Sequence, residues 1–279
     1  MTGLGAAEIR QLAQSLDLRP TKSLGQNFVH DYNTVAKIVD LAGVKRGDHV
    51  LEIGPGLGSL TLGILEAGAE VTAVEIDPRL ASLLPETVAR HAPEASLTVW
   101  NEDAMSLDRV PETVTALVAN LPYNISVPVL IHLLERAPWI RRVLVMVQAE
   151  VGHRIAATPG TAAYGSPSVK LGWWGRWKVE STVSRRVFWP EPHVDSVLVG
   201  MVATPPPGDE NLRSAVFRLV DQGFSMRRKM ARQALAPLVG GVEQASALCE
   251  EAGLAPTDRC EAWSLSDFVA LATAWRVTT

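Results

Sequence analysis

Apolar residues recur along this chain in two rhythms. Short unbroken runs predict buried strands at about 49–53, 71–75, 97–100, 115–119 and 142–147, each bounded by polar or Gly-containing turns. Between them, apolar residues return every three or four positions. Val35, Ile38, Val39 and Ala42 predict a helix over 33–43, and a second helix follows the first strand as far as about Ala67. Ile9, Leu12 and Leu16 give a weaker helical period over 6–18. Strand and helix in alternation predict an open, largely parallel sheet with ligands at the strands' C-terminal ends.

Further along, 148–155 reads as a helix, 169–174 and 178–183 as strands, and 197–202 as the strand that closes the sheet. The stretch Thr204-Pro205-Pro206-Pro207-Gly208-Asp209-Glu210 is Pro-rich and polar, as a linker would be. Beyond it the pattern is helical throughout, at 213–223, 226–235, 242–251 and 266–275. The expected division is therefore 1–203, a sheet domain with an N-terminal lid segment, and 209–279, a small all-helical domain.

Composition narrows the class. The 279 residues are 47% hydrophobic and 20% charged, which suits a globular protein with a sizeable core. No apolar run approaches the roughly 18 residues of a membrane span, and Met1–Arg10 lacks a signal pattern. Cys249 and Cys260 have neither metal-type spacing nor the look of a disulfide framework, so a reducing cytoplasm is the natural compartment and no metal is expected. The net charge of −4 does not favour a nucleic-acid partner, yet Arg227-Arg228-Lys229 with Arg232 concentrates positive charge within one predicted helix.

Candidate chemistry begins at Gly54-Pro55-Gly56-Leu57-Gly58, between the first strand and its helix. Val71–Glu75 is the second strand, and Glu75 ends it about 20 residues on, where an acid accepts ribose hydroxyls. The glycines read GxGxG rather than GxGxxG, which fits a nucleoside ligand without a pyrophosphate. Asp103 follows the third strand. Its carboxylate either accepts from an adenine amino group, with Ala104 leaving room for the ring, or caps a helix.

At Asn120-Leu121-Pro122-Tyr123 an apolar strand ends in an amide, a proline and an aromatic. Proline turns the chain outward. The Asn120 amide and the Leu121 or Pro122 carbonyl offer two acceptors for an exocyclic amine, and Tyr123 offers a stacking face. An ordinary strand-to-helix turn uses the same residue types. Phe188-Trp189-Pro190-Glu191-Pro192 reads as a second aromatic loop, either a base-stacking face or a hydrophobic plug.

Taken together these residues resemble the ribosomal RNA adenine N6,N6-dimethyltransferase family, the KsgA group. The resemblance rests on Lys22-Ser23-Leu24-Gly25-Gln26-Asn27-Phe28, Glu52–Gly58, Val74-Glu75-Ile76-Asp77, Glu102-Asp103-Ala104, Asn120–Ser126, Phe188–Ser196, Phe224–Lys229 and Arg259–Ser266. It implies a Rossmann-like S-adenosylmethionine-dependent methyltransferase sheet with a small C-terminal helical domain. The family's cofactor positions fall on Asn27, Val29, Gly54, Glu75, Asp103 and Asn120, with Gly56, Ile76 and Ala104 beside them. The residues themselves place the acceptor site at Asn120, Leu121, Pro122, Tyr123 and Phe188. The implied substrate is two adjacent adenosines near the 3′ end of small-subunit rRNA, met within an immature 30S particle by a cytoplasmic monomer, with Arg227, Arg228, Lys229 and Arg232 as the RNA grip.

The chain departs from the family's usual residues at Val29, Gly152-His153, Pro167 and Cys260. Two rival functions stand beside this reading. One is a large-subunit rRNA adenine methyltransferase conferring antibiotic resistance, and the other is a non-catalytic RNA-binding assembly factor. A nicotinamide enzyme is a more distant third.

Overall fold

The computed structural model describes residues 3–18, 27–122 and 125–278, with side chains described as far as Trp275. The chain divides into two compact units, Met1–Gly152 with Lys178–Ala203, and His153–Trp177 with Thr204–Thr279. Residues 153–177, assigned above to the sheet domain, thus pack with the C-terminal helices.

The first unit is built on a sheet. In chain order its elements are α1 (Ala6–Ser15), β1 (Phe28–Val29), α2 (Tyr32–Leu41), β2 (His49–Ile53), α3 (Ser59–Glu66), β3 (Glu70–Val74), α4 (Pro78–His91), β4 (Leu97–Trp100), β5 (Ala116–Asn120), α5 (Ser126–Arg136), β6 (Arg142–Gln148) and α6 (Ala149–Ile155). The chain then runs through α7 (Ser166–Leu171), β7 (Gly175–Val183), β8 (Phe188–Trp189) and β9 (Ser196–Ala203). Seven strands form one sheet in the order β4-β3-β2-β5-β6-β9-β7. The pairs β4–β3, β3–β2, β2–β5 and β5–β6 are parallel, and β6–β9 is antiparallel. Central strands buried on both faces need continuous apolar runs, as β5 (Ala116-Leu117-Val118-Ala119) supplies.

Helix starts follow local chemistry. Asp31 caps α2 through Thr34 N–H, and Asp77 caps α4 through Arg79 N–H with Pro78 in the first turn. In both, a carboxylate accepts a donor that has no intrahelical partner.

Three expectations need correction. The strand expected over 169–174 is absent among the described residues, and Val169–Leu171 close helix α7 (Ser166–Leu171) instead. Pro167 stands in its first turn, where the missing N–H costs nothing, and Ser168 Oγ accepts the Gly165 N–H. Second, β1 and β8 pair antiparallel in a separate two-stranded ribbon, Phe28 opposite Trp189 and Val29 opposite Phe188. Strands of two residues carry no periodicity to read. Third, the expected helix over 226–235 is interrupted. Helix α8 (Glu210–Ser225) ends before the basic run, and α9 (Ala231–Val239) begins after it.

The second unit adds α10 (Val242–Glu251) and α11 (Leu265–Thr278). Aromatic contacts explain why 153–177 belongs to it. Tyr164 Oη donates to the Trp263 carbonyl at 2.8 Å, and its ring meets Phe224 edge-on. Trp174 meets Phe217 at 5.8 Å, and the Arg213 guanidinium lies 4.9 Å from the Phe217 ring centre.

Gly152 in α6 faces β9 so closely that a Cβ would lie 2.2 Å from Val197 Cγ2 and 2.8 Å from Val199 Cγ2. Gly152→Ala gains about 0.5–1 kcal/mol of helix propensity. Overpacking costs about 1–3 kcal/mol, and a contact this short places the cost at the upper end. The expected result is a lower unfolding midpoint in urea, partly restored by adding Val197→Ala. An equally stable single variant would show that β9 yields freely.

Candidate active site

Four parallel strands bring their C-terminal ends to one edge. There β2 runs into the glycine loop, β3 into Glu75, β4 into the loop of Asp103 and β5 into Asn120. These ends wall a cleft whose empty space, counted out into open solvent, is about 930 Å³. Every residue assigned to the cofactor lines it: Asn27, Val29, Gly54, Gly56, Glu75, Ile76, Asp103, Ala104 and Asn120. The glycine at 56 is sterically required. It has φ +58°, and a Cβ there would lie 2.9 Å from the Phe28 ring.

Glu75 is buried, and both carboxylate oxygens are tied. Oε2 accepts Gly56 N–H at 3.1 Å and Oε1 accepts Asp77 N–H at 3.0 Å. The Asn101 amide donates to the Glu75 carbonyl at 2.8 Å. Burial raises the Glu75 pKa, and the backbone donors partly oppose that rise. Each oxygen keeps acceptor capacity for a second donor, as two ribose hydroxyls need.

Glu52 was not singled out from the sequence, yet it lines the same cavity and is 1% exposed. Its Oε2 accepts the Thr61 hydroxyl at 2.7 Å. Burial, with the charge of Glu75 adding to it, pushes its pKa up to about 8. The available signal was an acid inside the apolar run Val50–Ile53. Asp103 takes the capping role considered for it and also stands on the cavity wall. Its Oδ1 caps the short helix Ala104–Ser106 through Met105 N–H, and the residue lines the cavity.

The charge of the lining decides what fits. Glu75, Asp77, Glu102 and Asp103 bring acidic groups, Glu52 adds a carboxyl that burial keeps protonated near neutral pH, and no Lys, Arg or His is among the described lining residues. Asp77 and Glu102 pair outward with Arg79 and Arg109. A pyrophosphate would meet carboxylates and no cation here, whereas a cationic nucleoside is attracted. Ser59 Oγ, at the start of α3 on the lining, is buried without a hydrogen-bond partner. A bound polar group is the ordinary remedy for such an atom.

At the acceptor end, Asn120 and Pro122 line the cavity, while the Leu121 side chain is 1% exposed and faces the core. Tyr123 and the lid residues Lys22–Gln26 lie outside the described residues. Phe188 does not present the stacking face expected of it. It is 3% exposed, opposite Val29 in the ribbon and packed in the hydrophobic core.

The basic quartet is also rearranged. Arg227, Arg228 and Lys229 lie in the turn after α8, and Arg232 in the first turn of α9, so the shared helical face does not exist. Arg227 pairs with Glu261 and donates to the Ala162 carbonyl at 3.1 Å. Arg232 is half-buried, whereas Arg228 and Lys229 are exposed.

The family model for ribosomal RNA adenine dimethylase matches residues 18–274. The chain belongs to that family. Among curated relatives, the ribosomal RNA small subunit methyltransferase A of Leifsonia xyli is 59% identical, covering 96% of this chain and 97% of its own. The protein of the same name from Mycobacterium avium is 52% identical, covering 96% and 86%. Among solved structures, the 23S rRNA methyltransferase ErmE matches with a TM-score of 0.66 and 27% identity over 90% of this chain and all of its own. A dimethyladenosine transferase from Plasmodium falciparum matches with a TM-score of 0.71 over 88% and 95%, and at 23% identity it supports the fold alone. The Rossmann-like methyltransferase sheet with a helical C-terminal region is thus the fold of a dimethylase.

Two outcomes test the site. Glu75→Ala removes hydrogen bonds from a charged group, so affinity for S-adenosylmethionine by calorimetry falls by about 1.5–3 kcal/mol. Unchanged affinity in a folded variant removes Glu75 from the site. Glu52 holds its proton in the folded protein up to about pH 8, against 4.5 for the ordinary group. Its contribution to stability is therefore full below pH 4.5 and lost as pH rises through about 8. Glu52→Gln, a neutral mimic, should flatten the fall in urea stability across that window. The same slope in the variant would place its source elsewhere.

Proposed function

We propose that this dimethylase transfers methyl groups from S-adenosylmethionine to N6 of two adjacent adenosines near the 3′ end of small-subunit rRNA. The observation that carries the reading is the acidic cavity, with no cation among its described lining residues and with Asn120 on its wall. The names of the relatives favour the small subunit as the target. S-adenosylmethionine supplies an electrophilic methyl group on a positively charged sulfur. Glu75 would hold its ribose, Asp103 its adenine amino group, and the carboxyls of the lining would favour its charge.

The chain's own groups do the remaining work. Adenine N6 is a weak nucleophile because its lone pair is delocalised into the ring. Asn120 and the Leu121 or Pro122 carbonyl accept the N6 protons and favour a pyramidal nitrogen. Tyr123 stacks on the extruded base. Positioning supplies most of the rate, and no dedicated general base is required. The second transfer needs a pocket that still admits a methylated nitrogen. Arg228 and Lys229 hold phosphates, which positions the RNA without reading its sequence. The protein works as a monomer on an immature 30S particle in the cytoplasm.

Purified protein incubated in parallel with small-subunit and large-subunit particles and isotope-labelled S-adenosylmethionine tests this directly. Nucleoside mass spectrometry should find label in N6,N6-dimethyladenosine at two neighbouring positions. Label confined to large-subunit rRNA would favour the resistance-type activity, and no label at all would favour an assembly factor.

Asn120→Ala should cut the transfer rate far more than RNA affinity, because its contact strengthens as the bond forms. Equal losses in rate and binding would make Asn120 a docking residue. Reversing the charge of Arg228 and Lys229 should weaken particle binding and reduce its salt slope by about one unit per phosphate contact, leaving cofactor affinity intact. An unaltered slope would move recognition elsewhere, with Arg185 and Arg186 next in line.

A further inference from the structure

The ribbon of β1 and β8 reaches the acceptor site through one hydrogen bond. Asn120 Nδ2 donates to the backbone carbonyl of Asn27 at 3.0 Å, across 93 residues of sequence. Asn27 immediately precedes β1, and the Phe28 that follows it is held by two contacts. Phe28 pairs with Trp189 in register, their rings stacked at 6.4 Å with 22° between planes. On its other side the Phe28 ring lies against Gly56, so closely that a methyl group there would clash. The next turn is also fixed, because His30 N–H donates to the Val187 carbonyl at 2.9 Å.

This matters because an asparagine amide has a donor end and an acceptor end of nearly the same shape. Rotated by half a turn, Asn120 would offer an N–H where an acceptor is needed and would set Oδ1 against the Asn27 carbonyl. With Nδ2 committed to Asn27, Oδ1 is the end left to accept a proton from an exocyclic amine.

We propose that the β1–β8 ribbon sets the sense of the Asn120 amide, and that Trp189 is thereby a positioning residue for methyl transfer. Trp189 touches neither reacting group. It holds Phe28, Phe28 holds the Asn27 carbonyl, and the carbonyl turns Asn120. The functional part of this inference rests on Asn120 being an acceptor for N6. The structural part does not.

Two measurements separate these parts. In protein labelled with ¹⁵N-asparagine, the Asn120 side-chain amide is assigned by its loss in Asn120→Ala. The wild type should show one amide proton shifted and protected from water exchange. Trp189→Ala should abolish that signature, and Trp189→Phe should restore it by keeping the stack. An unchanged Asn120 signal in Trp189→Ala overturns the proposal, whatever the enzyme does.

The second measurement is a double-mutant cycle in single-turnover methylation. Trp189→Ala should slow transfer by about 10- to 100-fold, the scale of a misplaced catalytic group, with S-adenosylmethionine affinity close to wild type. In an Asn120→Ala background the same change should cost almost nothing further. Losses that multiply would assign Trp189 an independent role and overturn the proposal. If Trp189→Ala does not fold, Trp189→Leu keeps apolar bulk without the stack and carries the same outcomes. A wild type that transfers no methyl group at all would refute the proposed function, while the amide spectrum would still decide the orientation.

Discussion

The site depends on one carboxylate. Glu75 stands where β3 ends, and its two oxygens receive N–H groups from the glycine loop and from the start of α4. A buried charge is tolerated only with such donors. The same two bonds hold the loop after β2 and the entrance to α4 at a fixed separation. Three consequences follow from that. Gly56 comes close to the Phe28 ring, the cavity acquires its floor, and Glu52 finds a second carboxylate near enough to help keep it protonated.

The parallel order of β4, β3, β2 and β5 does the gathering. Each strand delivers one chemical group to the same edge, so residues far apart in sequence meet without a dedicated scaffold. Charge then selects the ligand. With carboxylates on the lining and no described cation there, phosphate-rich cofactors are disfavoured and a sulfonium nucleoside is favoured. At the far end of the row, the Asn120 amide is tied from outside its own strand, its Nδ2 donating to the Asn27 carbonyl just before the N-terminal ribbon.

Much of this was legible in the sequence. The strands at 49–53, 71–75, 97–100 and 115–119 announce themselves by apolar runs, and the glycine loop with Glu75 marks the ligand edge. Long, repeated patterns survive translation into structure. What was not legible depends on contacts between distant segments. The two residues of β1 have no period, so their pairing with β8 could not be seen. Phe188 stood open between a stacking face and a hydrophobic plug until its register with Val29 turned it into the core. The run Val169–Trp174 alternated like a strand, but Pro167 and Ser168 start a helix there. Arg227–Lys229 was read into a helix over 226–235, whereas that helix starts only at Ala231, and the ion pair of Arg227 to Glu261 joins residues 34 positions apart.

The measurement that bears most directly on this account is a crystal structure of the protein with S-adenosylhomocysteine, the product that remains after methyl transfer. The account places both ribose hydroxyls on the Glu75 carboxylate, the adenine amino group at Asp103, and the sulfur on the side of the cavity nearest Asn120. A nucleoside bound with its ribose away from Glu75, or with its sulfur remote from Asn120, would contradict it.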